Sequence, residues 1–106
     1  MNWESMEVTA QLKGDMSIIS IFEAISIQNI QDIEKVWEEQ LGKSIRVLAI
    51  DFTNIERVDS IGLSHLVKLS RKAIIKEIDL IFFGLNPPIL ELFNIARLDT
   101  FFNILT

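Results

Sequence analysis

The sequence predicts an α/β fold: a mixed, mostly parallel β-sheet that opens on an antiparallel hairpin, with helices packed against it. Three observations carry that reading. The N-terminal residues alternate apolar and polar side chains and turn back after a short connection. Two later stretches, Val47-Leu48-Ala49-Ile50 and Leu80 to Phe83, are continuous apolar runs, the pattern of strands covered on both faces. Between and after these runs, apolar residues recur at helical spacing. Buried strands joined through helices run parallel. The chain has 106 residues, with no repeat, linker or low-complexity segment, so residues 1-106 are expected to form a single domain.

Met6, Val8, Ala10 and Leu12 alternate with Glu7, Thr9, Gln11 and Lys13, which marks a first strand with one wet face. Lys13-Gly14-Asp15 is turn-like, and Ser17 to Phe22 reads as the second strand of a hairpin. Glu23 to Ile27 then leads to a first helix. Asn29 is placed to cap it, and Asp32 lies where a carboxylate favours a helix N-terminus. Ile30, Ile33, Val36, Trp37 and Leu41 form its apolar stripe, and Gly42 is a natural stop.

Ile45 to Phe52 is the first buried strand, followed by a polar turn. The second helix is expected to begin at Ser60 and to bury Leu63, Leu66, Val67 and Ser70, with Ala73 or Ile74. Leu80 to Phe83 is the next strand, ended by Gly84. Asn86-Pro87-Pro88 opens a third helix, with Asn86 as cap, Pro87 in the first turn and a stripe of Ile89, Leu92, Phe93 and Ala96. Phe101 to Leu105 forms a last short strand or a packed tail.

Composition narrows the function. Nearly half the residues are apolar (49%), too many for a disordered chain, yet no run approaches the roughly 18 residues of a membrane-spanning helix. The N-terminus lacks the basic-then-apolar pattern of a signal peptide, so a cytoplasmic protein without membrane insertion is expected. There is no cysteine, which removes disulfides, thiol nucleophiles and zinc knuckles; the single histidine removes most imidazole metal sites. The net charge is −5 and the ten basic residues are scattered, so nucleic-acid binding lacks its usual concentrated surface. No cofactor is called for. At this size and charge the free protein is expected to be a monomer.

No phosphate-cradling glycine loop is present, and no Gly-x-Ser-x-Gly elbow surrounds Ser60. His65, five residues on, turns to a different helix face and is a poor base for Ser60. Asp51 reads either as a functional carboxylate at a strand end or as a turn residue that orders the loop through backbone hydrogen bonds. A phosphoacceptor role wants a further acidic pair near the first strand, which is missing. Ser60 itself is a helix N-cap on the plainest reading, worth about 1 kcal/mol. Its context, Asp59-Ser60-Ile61-Gly62-Leu63 after a buried strand, adds a small residue that leaves the hydroxyl approachable.

At these residues, preceded by IDFTNIERV, the chain resembles the STAS domain family, especially bacterial anti-sigma factor antagonists. The resemblance extends to the order of elements and to Asn-Pro-Pro before the third helix. It implies a non-enzymatic module whose phosphoacceptor is Ser60, with Ser26, Asp59, Ser60, Ile61, Gly62 and Ser64 facing the partner. The implied partner is an anti-sigma factor that is also a serine kinase of histidine-kinase-like ATPase fold, with a serine phosphatase to reverse the mark. The alternative is a STAS scaffold that is not phosphorylated and serves a larger signalling, transport or lipid-handling assembly. Three departures stand out. Ile61 replaces a small residue; Glu23-Ala24-Ile25-Ser26 lacks the glycine and final acid of the family's Gly-Asp/Glu-Leu-Asp segment; and Thr106 leaves little room for the terminal helix many members carry.

Overall fold

The computed structural model describes residues 8–97 and 103–105. In chain order these form β1 (Val8–Lys13), β2 (Met16–Ile25), α1 (Ile30–Leu41), β3 (Val47–Val58), α2 (Ser60–Ile75), β4 (Asp79–Phe83), α3 (Pro87–Ile95) and β5 (Asn103–Leu105). The five strands make one sheet in the order β1-β2-β3-β4-β5. β1 and β2 are antiparallel, and the remaining pairs are parallel. This is the predicted mixed sheet. Met6 and Glu7, read as the start of the first strand, and Phe101 and Phe102, read as the start of the last, lie outside the described residues.

Alternation within the strands separates two faces. Ser17, Ile19 and Ile21 of β2, Leu48, Ile50 and Phe52 of β3, and Leu80 and Phe82 of β4 are all buried. They meet the helices. The Ser17 hydroxyl donates to Gln40 Oε1 on α1, and the Phe93 ring of α3 stands edge-on to Phe52 and Phe82 at 5.7 and 5.9 Å. α2 adds Leu66, Leu69 and Ala73 to the same cluster, around the wholly buried Trp37 of α1. Each such side chain is worth roughly 1.5–3 kcal/mol on burial, so this layer supplies most of the stability. Leu69, outside the stripe expected of α2, also belongs to the core.

The other face is different. Met16, Ile18, Val47, Ala49, Ile81 and Phe83 point there by the strand register, and none belongs to the core cluster. No described element packs on it. The apolar runs of β3 and β4 therefore line a sheet whose helices cover one side, where coverage of both was expected.

Further corrections concern the strands. The alternation of β1 predicts one whole buried face, but of Val8, Ala10 and Leu12 only Val8 is buried, and Leu12 is 51% exposed. β1 is the edge of the sheet, and helix cover reaches only its beginning. Glu23 to Ile25, taken as a connection, continue β2; the polar turn expected after Phe52 instead continues β3 to Val58. The extension survives because Ala24, Ile25 and Ile55 are buried. It is irregular: pairing shifts between Ser20 and Phe22 and again between Glu23 and Ala24, with the extra residues on β3.

Candidate functional site

The irregular upper end of β2 and β3 positions the predicted site. β3 leaves the sheet at Val58, and the Asp59 N–H donates to the carbonyl of Ile25 at 3.2 Å. Asp59, in extended conformation, is the N-cap of α2, and its carboxylate accepts from the Gly62 N–H at 2.7 Å. The helix begins at Ser60, as its apolar spacing predicts, but the cap expected of Ser60 is supplied by its neighbour.

Capping by Asp59 frees the serine. Ser60 is exposed, and its hydroxyl makes no hydrogen bond among the described residues; only its carbonyl is used, accepting from the Ser64 hydroxyl at 3.1 Å. Ile61 is 42% exposed beside it, and Ser64 is exposed one turn along. Ser60, Ile61 and Ser64 thus form one accessible surface at the start of α2. Gly62 does not join it. Gly62 is buried, and a Cβ there would lie 2.3 Å from the Ile25 oxygen and 2.7 Å from its carbonyl carbon. Glycine at this position lets α2 rest directly on the end of β2. It supports the surface from behind.

Ser26 follows Ile25 and so borders this junction. It is half-buried, its N–H donates to Asn29 Oδ1 at 3.0 Å, and its hydroxyl accepts from the Gln28 N–H at 3.3 Å. Asn29 occupies the cap position of α1 as predicted, but its side chain does not cap the helix. Its amide donates to the Ala24 carbonyl at 2.6 Å, folding the loop back on β2. Asn86 does both jobs: it accepts from the Ile89 N–H at 2.9 Å as cap of α3 and donates to the Ile55 carbonyl of β3 at 3.2 Å. The upper end is therefore stitched by asparagine side chains where the sheet has narrowed to two strands.

A polar cavity of about 290 Å³ opens beside Ser26, lined by Glu23, Ala24, Ser26, Gln28, Asn29, Glu56 and Arg57. Glu23, Glu56 and Arg57 were not singled out from sequence. One signal was available for Glu23, which stands where the resembled family has glycine. Its φ is 73°, the left-handed conformation that glycine adopts freely and other residues adopt at about 1–2 kcal/mol.

Asp51 and His65 fall elsewhere. Asp51 lies within β3, where its carboxylate accepts from the Thr53 N–H at 2.9 Å across the irregularity and from the Ser20 hydroxyl at 3.3 Å. This is the backbone-ordering role. His65 is half-buried with Nδ1 3.6 Å from Glu34 Oε1, on the flank facing α1. Among the described residues no group of three or more histidine, aspartate or glutamate side chains is arranged to hold a metal ion.

A mixed sheet backed by helices, with an exposed serine at the start of the second helix after a buried strand, defines a class of small α/β domains. Within that class the chain belongs to the STAS domain family, whose model matches residues 7–106. Solved structures share the fold. An anti-sigma factor antagonist from Mycobacterium paratuberculosis is 18% identical with a TM-score of 0.81, covering 92% of this chain and 82% of its own. The anti-sigma factor antagonist SpoIIAA in its unphosphorylated form is 13% identical with a TM-score of 0.77, covering 93% and 88%. RsbS from Moorella thermoacetica, in a variant form, is 22% identical with a TM-score of 0.78, covering 92% and 85%. No curated protein sequence matches the chain.

Proposed function

We propose that this domain is an anti-sigma factor antagonist in a partner-switching pathway, binding an anti-sigma factor that is also a serine kinase and released by phosphorylation of Ser60. One observation carries the reading: an exposed serine at the start of a helix whose hydroxyl has no hydrogen-bond partner among the described residues, because Asp59 does the capping. The family and the likeness to anti-sigma factor antagonists support it. So does the existence of a phosphorylated form of one of them, Bacillus SpoIIAA, at 13% identity and a TM-score of 0.72.

The physics of the switch follows from the cap. A phosphate on Ser60 meets the amides of the first turn and the positive end of the helix dipole, which favour it by about 0.3–1 kcal/mol. The Asp59 carboxylate, already bonded to Gly62, opposes it. The two terms oppose each other at an exposed site, so the domain is expected to stay folded. A partner seated on Ser60, Ile61 and Ser64, with Ser26 at its margin, meets roughly 1.5–2 new negative charges and added bulk, and is expelled. The domain acts by binding, not catalysis.

The test is incubation with ATP and the cognate kinase, followed by mapping of the phosphate by mass spectrometry. Ser60 is the expected site, and phosphate on Ser64 or Ser26 would overturn the assignment. Ser60→Ala should block incorporation and keep binding. Ser60→Asp should weaken binding at least about tenfold, ~1.4 kcal/mol, with an unchanged circular dichroism spectrum. A second reading, a scaffold without phosphorylation, is favoured by the occurrence of this fold within a longer chain, Mglu, where the match at 14% identity covers 20% of that chain. Phosphate on none of the serines under these conditions would support it.

A further inference from the structure

Parallel sheets are almost always covered on both faces, and their strands are apolar throughout for that reason. Here β2 to β5 are parallel, β3 and β4 carry the corresponding apolar pattern, and the helices pack on one side only. The other side, on which no described element packs, presents the half-buried Met16, Ile18, Val47, Ile81 and Phe83 in adjacent rows around the buried Ala49. Such a face is patterned for a second layer.

The charges at its margin identify that layer. Strand register aligns Lys13, Met16, Val47 and Asp79 in a single row across β1, β2, β3 and β4. The row is basic at one end, acidic at the other and apolar between. Lys13 and Asp79 are both exposed, and neither side chain makes an ion pair or hydrogen bond among the described residues. A two-fold axis parallel to the strands, between β2 and β3, would lay β1 of one copy over β4 of the other. Lys13 then faces Asp79 twice, Met16 faces Val47, and the large Ile18 sits over the small Ala49. The margin of the face is complementary to itself in charge, as a two-fold interface requires, and the same axis sets Asp51 of β3 over Ser20 of the second copy.

We propose that the bare sheet face is a homodimer interface, with two copies packed sheet to sheet through Ile18 and Ala49 and flanked by reciprocal Lys13–Asp79 pairs. Strands of the two layers cross near the usual 30°. Four strands of each copy overlap, about 14 Å at ordinary spacing, so the interface is at the small end of the specific range and the pair is weak. It departs from the lone monomer expected from size and charge. It leaves the Ser60 surface open, because α2 packs on the opposite face, and it does not depend on that serine's role.

Sedimentation equilibrium of the full chain tests it. Between about 10 and 500 µM, the apparent mass should rise from 12.2 kDa towards twice that value. Lys13→Asp and Asp79→Lys, both at exposed positions, should each raise the dissociation constant about tenfold or more while leaving circular dichroism unchanged. Combining them in one chain restores the opposite charges and should restore the dimer. Ile18→Lys should remove it. A wild-type chain that stays at 12.2 kDa throughout has this face covered by something else, its own terminal residues or a different protein, and overturns the proposal. So does a dimer indifferent to the single charge reversals, or one that the double reversal fails to restore.

Discussion

The two ends of the sheet are built on different principles. At the lower end, Met16–Ser20, Val47–Asp51 and Asp79–Phe83 pair residue for residue. Ile19, Leu48, Ile50 and Phe82 are buried there against the helices, so stability comes from apolar area. At the upper end β4 has stopped, β2 and β3 continue alone, and their pairing slips twice. Beyond the buried Ala24, Ile25 and Ile55, what holds that end is a set of directed contacts: Asn29 on Ala24, Asn86 on Ile55, Asp59 on Gly62, and a glycine pressed on the Ile25 carbonyl. The lower end could absorb many apolar substitutions. The upper end fixes the position of one serine, and each of its parts has a specific partner.

Gly62→Ala should break this contrast most severely. The intruding Cβ meets backbone, which cannot rotate away, so a loss of about 3 kcal/mol in denaturant unfolding is expected. Hydrogen exchange would sharpen the comparison: amides of Ala24 to Ser26 and of the first turn of α2 should lose protection more than those of Leu48 to Ile50. Equal loss at both ends would mean that they unfold as one unit.

Glu23→Gly acts at the same end in the opposite direction. It relieves a left-handed φ of 73° at about 1–2 kcal/mol while adding glycine's entropy cost of about 0.5–1, for a net gain of about 0.5–1 kcal/mol in unfolding free energy. If this more stable variant binds its partner less well, the strained glutamate beside the polar cavity contributes to recognition.

The smallest effect lies outside both ends. Lys72 Nζ sits 2.6 Å from Glu38 Oε1, and its hydrogen bond and charge hold the Glu38 carboxyl below the ordinary glutamate range. A carboxyl lowered in the folded state contributes stability above its unfolded pKa and loses it as pH falls through the folded value. The stability difference between wild type and Glu38→Gln should therefore be present at neutral pH and vanish in acid. It will be slight, because the pair is exposed.

Much of the lower end was legible because burial leaves a periodic trace. The apolar runs at Val47 and Leu80 and most of the helix stripes could be read directly, apart from the buried Leu69 of α2 and the exposed Ala96 just past α3. The upper end was not. Thr53, Asn54, Glu56 and Arg57 have the composition of a turn, and two extra residues in β3 break the alternation that would have marked it as a strand. Asn29 was correctly placed as a cap position, yet nothing local shows that its side chain turns to the preceding strand. Asp59 and Ser60 both suit an N-cap, and the choice between them depends on where the helix starts, set by the grip of Ile25 on Asp59. Gly62 was noticed for exposing a hydroxyl; its close approach to β2 required the fold. The bare face was invisible for a simple reason: an apolar strand has the same sequence whether or not its cover belongs to the same chain.

The strand order carries a consequence for how the molecule is made. Because β1-β2-β3-β4-β5 in space is also the order along the chain, no strand waits for a later segment to be inserted beside it. The hairpin forms from neighbours, and every later strand returns through one helix to the edge left by its predecessor. A chain emerging from the ribosome can therefore extend its sheet strand by strand in the direction of synthesis. Asp59, just past the third strand, can reach the Ile25 carbonyl and set the start of Ser60's helix before the last two strands have emerged.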